Sequence, residues 1–178
     1  RQARVLRRYL FLTTASEVLS SIQSAFPGAV LDSRVESDWR LWATIDSKKI
    51  LDVCKHLTAK LNFDHYSGSA GLDWIARNEM EVVQIMASHG AHQVVAMLKV
   101  KTPRDAPSVK SMVPLYWNAN WYEREIWEMF GINFEGHSEL YPLLLSDPLV
   151  GVWPWRKDFK GYPDYTTGER AVAITTPE

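Results

Sequence analysis

Apolar and polar positions follow two different periods along this chain, and the changes of period mark out its elements. Val18, Leu19 and Ile22 share one side of a helix over about Ala15–Ala25, which Phe26-Pro27-Gly28 ends. Ala29–Val35 and Trp39–Ile45 read as strands, with Glu36-Ser37-Asp38 turning between them. The offsets of Ile50, Leu51, Val53, Cys54, Leu57 and Leu61 fit one face of a second helix, with Asp46 or Ser47 as its cap. Cys54 falls on that apolar stripe, so it reads as an inert core thiol. Three strands follow. The first opens at Asn62–His65 and runs irregularly toward Trp74. Met80–Ala87 and Gln93–Val100 come next, joined by a His89-Gly90-Ala91 turn. Lys101–Val109, holding Pro103 and Pro107, reads as a loop. This order predicts an α+β fold, a mainly antiparallel sheet with helices on one face.

The character changes after Val109. A heavily aromatic helix is predicted from Asn120 to Phe130, with Asn120 as N-cap and Glu123 reaching back to it. Glu123 and Glu125 lie near the positive end of the helix dipole, and the spacing of Arg124 and Glu128 allows an ion pair. Tyr122, Ile126 and Met129 form an apolar line that Trp127 and Phe130 widen, and Gly131 supplies a left-handed stop. Beyond it, Pro142, Pro148, Pro154 and Pro163 punctuate a stretch with little period and five aromatics from Trp153 to Tyr165. Such a segment cannot form its own core and must lie on its own domain or on a neighbour. The expected organisation is a basic tail over 1–14, an α+β domain over 15–132, and an extended wrapping segment over 133–178.

Composition narrows the function. The chain's 178 residues suit one domain, and 20 Lys+Arg against 21 Asp+Glu argue against nucleic-acid binding. One cysteine excludes an internal disulfide or a cysteine-held cluster. Eight Trp, six of them at or beyond position 74, favour protein contact in the second half. No apolar run reaches the roughly 18 residues that span a bilayer. The first 16 residues carry Arg1, Arg4, Arg7 and Arg8 without an acid, as either a presequence remainder or a basic tail would. His56, His65, His89, His92 and His137 show no metal-ligand spacing, and phosphate-loop and nucleophile-elbow motifs are absent. Glu123, Glu125 and Glu128 do not share one face, and their helix positions explain them without catalysis. No catalytic, cofactor-binding or metal residue is assigned. Arg156-Lys157-Asp158, set among aromatics behind Pro154, reads as a fixed ion-pair anchor.

Two segments carry a resemblance. Asn120-Trp-Tyr-Glu-Arg-Glu-Ile-Trp-Glu-Met-Phe-Gly-Ile132 with Gly136-His137 resembles the signature of the C-subunit family of respiratory complex I, the NADH:quinone oxidoreductase. Trp155-Arg-Lys-Asp-Phe159 resembles the Leu-Arg-Lys-Asp-Phe segment near that family's C-terminus. Phe26-Pro27-Gly28, Phe63-Asp64-His65 and Pro107-Ser108-Val109 agree in outline, and the likeness spans about 15–165. After His137 the family's Pro-x-Leu and basic pair are replaced by Ser138-Glu-Leu-Tyr141-Pro142. Trp155 stands where Leu is usual, and Lys160-Gly161-Tyr162 replaces the customary Pro-Leu-Thr-Gly-Tyr.

The resemblance implies a cofactor-free, non-catalytic subunit of the peripheral arm of a proton-translocating complex. It implies that FMN, iron–sulfur clusters and quinone reside in partner subunits. Its partners would be the hydrogenase-large-subunit-like quinone-site subunit and neighbouring iron–sulfur subunits, across an interface above roughly 2,000 Å². The expected location is the matrix side of the mitochondrial inner membrane or, alternatively, the cytoplasmic face of a prokaryotic membrane. The expected anchors are Glu123, Arg124, Glu125, Trp127, Phe130, His137, Trp153, Arg156, Lys157, Asp158 and Phe159. Rival readings are the same subunit in a membrane-bound hydrogenase or a deazaflavin-dependent dehydrogenase, a generic adaptor, and a free-standing enzyme using Glu123, Glu125 and Glu128.

Overall fold

The computed structural model describes residues 14–89 and 93–161. Positions 1–13, most of the expected basic tail, lie outside the described residues, as do 90–92 of the expected turn and 162–178. Helix α1 spans Ala15–Ala25, and Thr14 and Glu17 close a reciprocal capping box at its start. Strands β1 (Val30–Ser37) and β2 (Arg40–Ile45) follow as a hairpin, then helix α2 (Ile50–Leu61). Neither Asp46 nor Ser47 caps α2. Asp46 accepts the Lys48 N–H one turn earlier, and Lys49 leads in without a side-chain cap. Asn62, in the left-handed region, ends the helix.

Strand β3 (His65–Trp74) and a short 3-10 turn (Ile75–Arg77) lead to β4 (Glu79–Ala87) and β5 (Val95–Pro103). The sheet order is β1-β2-β5-β4-β3. All neighbours are antiparallel except β2 and β5, which α2 and the meander bring side by side in parallel. Strand β5 runs three residues past Val100 because Glu79–Glu81 pair with Lys101–Pro103. Two short strands not expected from the sequence, β6 (Ser108–Lys110) and β7 (Asn133–Glu135), pair in parallel. Three residues are too few to show a period. Between them lies helix α3 (Ala119–Phe130).

One apolar face of the sheet supplies the core. Leu41, Ala43, Ala96, Leu98, Val100, Met80, Val82 and Met86 are buried with Val18 and Ile22 of α1 and Val53, Cys54 and Leu57 of α2. Burial pushes the Cys54 thiol up to about 12, in keeping with an inert core group. Helix α3 lies across β3, and two glycines let it come close. A Cβ on Gly68 would sit 3.1 Å from the Tyr122 ring, and one on Gly71 would sit 2.8 Å from the Phe130 ring. Gly71→Ala is therefore expected to lower stability by about 1–3 kcal/mol, as overpacking does. Urea unfolding should show Phe130→Leu in the same chain recovering part of the loss. An unchanged midpoint in Gly71→Ala would refute the close-packing account.

Candidate functional site

Helix α3 does not begin as its sequence suggests. A turn through Met112–Trp117 feeds directly into it, so the Ala119 and Asn120 amides already bond to Tyr116 O and Trp117 O. Asn120 is thus not the N-cap but a buried residue inside the first turn. Glu123 does not reach back to it. Its carboxylate instead accepts the Met112 N–H and the Ser111 hydroxyl, both at 2.6 Å, which fixes the turn ahead of the helix. Burial outweighs these two donors and pushes the Glu123 carboxyl up to about 7.

The expected Arg124–Glu128 ion pair is absent, because a length of chain runs beside the helix and takes both side chains. Residues 137–145 form an extended strap along α3. Asn120, Arg124 and Glu128, four residues apart on one stripe, are all buried and all bond to it. Asn120 Nδ2 donates to Glu139, while its carbonyl lies 3.4 Å from His137 Nε2. The Glu139 N–H donates to His137 Nδ1, so the ring proton belongs on Nε2. Desolvation holds the His137 pKa below its usual value, in keeping with that neutral ring. Arg124 donates to Tyr141 O at 3.1 Å and Pro142 O at 2.8 Å, and its guanidinium lies 3.9 Å from the Tyr141 ring centre. Glu128 accepts three consecutive amides, those of Leu143, Leu144 and Leu145, at 2.9–3.2 Å. The three carboxylates of α3 therefore do not converge. Glu123 serves the preceding turn and Glu128 the strap, while the Glu125 side chain is half-buried without a hydrogen bond or ion pair among the described residues.

The chain then returns to the end of α3. Gly131 is left-handed (φ 73°), and a Cβ there would lie 2.5 Å from the Trp153 indole. Arg156 stacks on Trp153 and donates to Phe130 O at 2.7 Å, placing a cation at the negative end of the helix. Trp155 meets Phe130 edge-on, and its backbone N–H donates to Met129 O. Trp127 is half-buried against the core. The motif's acid is anchored within the chain: Asp158 accepts from Arg104 at 2.6 Å. Arg104 also grips Asp73 with two parallel bonds of 2.8 and 3.0 Å, and the Lys157 N–H donates to the same Asp73 carboxylate. The Arg104 guanidinium holds the Asp73 carboxyl below the usual carboxylate range. Phe159 closes the turn through its N–H to Arg156 O. Arg104 and Asp73 escaped the sequence reading, since nothing in their spacing points to residues 156–158.

No three His, Cys, Asp or Glu side chains among the described residues are arranged to hold a metal ion. No described helix is long and apolar enough to cross a membrane. What α3 and the strap turn outward is aromatic and aliphatic: Trp117, Trp121, Tyr141 and Leu144 are each more than half exposed.

A profile of the family described as "Respiratory-chain NADH dehydrogenase, 30 Kd subunit" matches residues 43–165, which include α3 and the 156–158 motif. The chain is 45% identical over 152 residues to the C subunit of the F(420)H(2) dehydrogenase of Methanosarcina mazei, covering 85% of this chain and 96% of that one. It is 34% identical over 164 residues to the C subunit of the NADH-quinone oxidoreductase of Roseiflexus sp. (strain RS-1), covering 89% and 87%. Among solved structures it resembles a chain of the membrane-bound sulfane sulfur reductase, an archaeal respiratory membrane complex. That match has a TM-score of 0.71 and 28% identity, over 81% of this chain and 84% of the other.

Two outcomes are expected from this geometry. Glu128→Gln turns an amide NH₂ toward backbone donors, so it should cost about 2–4 kcal/mol and open 137–145 to thermolysin. Equal cleavage in wild type and variant would show that the strap is held by other contacts. Glu123 gives a pH signature. Its folded pKa is raised, so between about 4.5 and about 7 the folded chain holds more protons than the unfolded one. Its contribution to stability should then fall as pH rises through that window, by about 3 kcal/mol, while Glu123→Gln removes this fall and leaves the opposite, rising contribution of His137. Thermal unfolding of both chains from pH 4 to pH 8 checks the sign.

Proposed function

The chain belongs to the family of the respiratory-chain NADH dehydrogenase 30 kDa subunit, and we propose that it is a non-catalytic structural subunit in the peripheral arm of a quinone-reducing respiratory complex. The observation that carries this reading is the direction of the charged side chains on α3. Glu123, Arg124 and Glu128 all bond to the chain's own backbone or to Ser111, so each has a structural task within the chain. They fix a surface on which Trp117 and Trp121 stand exposed, and exposed Trp and Tyr at a rigid surface suit a partner subunit. The partners are the quinone-site subunit and neighbouring iron–sulfur subunits. Flavin, clusters and quinone sit in them and not in this chain.

One observation favours a second reading of the electron donor. The 45% identity to an F(420)H(2) dehydrogenase subunit exceeds the 34% to the Roseiflexus subunit over a comparable length. A complex of the F(420)H(2) dehydrogenase kind accounts for that difference. These relatives are archaeal and bacterial, which favours the cytoplasmic face of a prokaryotic membrane over the mitochondrial matrix.

Purification through a tag on this chain in mild detergent is expected to recover flavin and iron–sulfur subunits with quinone-reducing activity. A colourless monomer would overturn the reading. Arg124→Ala and Arg156→Ala are expected to lower the yield of assembled complex several-fold while leaving turnover per assembled complex near wild type. Full assembly with lost turnover would place these residues in the chemistry instead.

A further inference from the structure

Away from the strap, the structure shows a second outward feature that the signature helix does not explain. Among the described residues, strand β3 is the last strand of the sheet, with β4 as its single strand neighbour. Asn118 Nδ2 donates to the Tyr66 carbonyl near its start, and the outer main-chain groups of its 71–74 end face away from the sheet. Where its residues 71–74 end, a cleft of about 300 Å³ opens, lined by Gly71, Leu72, Trp74, Phe130, Trp155 and Lys157. Trp155 is half exposed and Trp74 more than a third, and Ile75 beside them is half exposed. Large apolar side chains gathered beside a sheet edge form an attachment surface, here separate from the aromatic face of α3 and the strap.

Charge adds a second, independent character. Asp73 is the acid on the cleft wall, and Arg104 and the Lys157 N–H fully engage it. The Lys157 ammonium makes no ion pair among the described residues, although its backbone is fixed. Arg77 stacks on the outer Trp74 with its guanidinium 4.9 Å from the ring centre and makes no ion pair among the described residues either. One cation, Lys157, thus lines an aromatic slot whose own carboxylate is already neutralised, and a second, Arg77, stacks on Trp74 of its wall.

We propose that this cleft is a docking site for an extended acidic segment of a neighbouring subunit, lying along the outer edge of β3. A large apolar side chain of that segment fills the slot between Trp74 and Trp155, and an adjacent carboxylate pairs with Lys157. Strand addition at a free edge supplies main-chain bonds, while the slot and the cation supply selectivity. An anionic membrane surface fits less well, because lipid recognition uses clusters of four to eight cations and this site has two. The proposal rests on the reading of the chain as a subunit of a larger complex.

The test uses the intact complex purified through this chain. Zero-length carbodiimide coupling followed by peptide mass spectrometry should join Lys157 to an Asp or Glu of one co-purified subunit. Lys48, remote from the cleft, serves as the control lysine. Lys157→Glu should lower recovery of that subunit about tenfold, and replacing the coupled acid by Lys should restore it. Lys157→Met, which removes the charge without adding repulsion beside Asp73 and Asp158, should lower recovery less and guards against a folding defect. If the complex is recovered but Lys157 couples to nothing and Lys157→Glu changes nothing, the docking site is wrong and the subunit reading stands. Loss of binding to phosphatidylglycerol vesicles in Lys157→Glu, with subunit recovery intact, would make the cleft a membrane contact and overturn the proposal. If no respiratory partner is recovered at all, both readings fail together.

Discussion

A buried carboxylate that accepts three consecutive backbone amides is the constraint on which the second half of this molecule depends. Glu128 lies inside the fold and would be costly there if unpaired. The three N–H groups of Leu143, Leu144 and Leu145 meet its need, and in doing so they fix the path of an aperiodic stretch that has no hydrogen-bond ladder of its own. Arg124 performs the complementary task one turn earlier by donating to two carbonyls. Acid and base on one helical stripe therefore recognise the opposite polarities of a single extended backbone. That explains why they do not pair with each other.

A second lock, of different construction, holds the end of the described chain. Arg104 joins Asp73 on β3 to Asp158, and Arg156 caps the C-terminus of α3 while it stacks on Trp153. The short return over 153–158 is thereby tied to β3, to the end of β5 and to α3 at once. The aromatic side chains between these ties are held without being fully buried. A surface of this kind loses little conformational freedom on association, because its backbone is already fixed.

Much of the fold was legible from the order of apolar positions. The bounds of α1, the stripe on α2 and the three-strand meander follow from side-chain period, which survives in a single sequence because burial on one face demands it. The left-handed stop at Gly131 was legible too, since few other residues tolerate that backbone. The partners of the charged residues were not. A four-residue spacing shows that Arg124 and Glu128 are neighbours on a helix, but not that another length of chain arrives between them. Asn120 looked like a cap because the turn before it carries no helical period. The pairing of β6 with β7 and the reach of Arg104 to Asp158 are set by tertiary closure, which no local pattern encodes.

The bond from the Lys157 N–H to Asp73 joins residues 84 positions apart. A ribosome delivers the sheet and α3 well before it delivers Trp155 and Lys157. Until then the far wall of the cleft beside β3 does not exist, and the end of α3 lacks its arginine cap. A chain that stops short of Trp155 presents no finished edge to a neighbour. The molecule thus carries its own proof of completion: the proposed docking surface is built on β3 and the end of α3 and closed by nearly the last residues of the described fold.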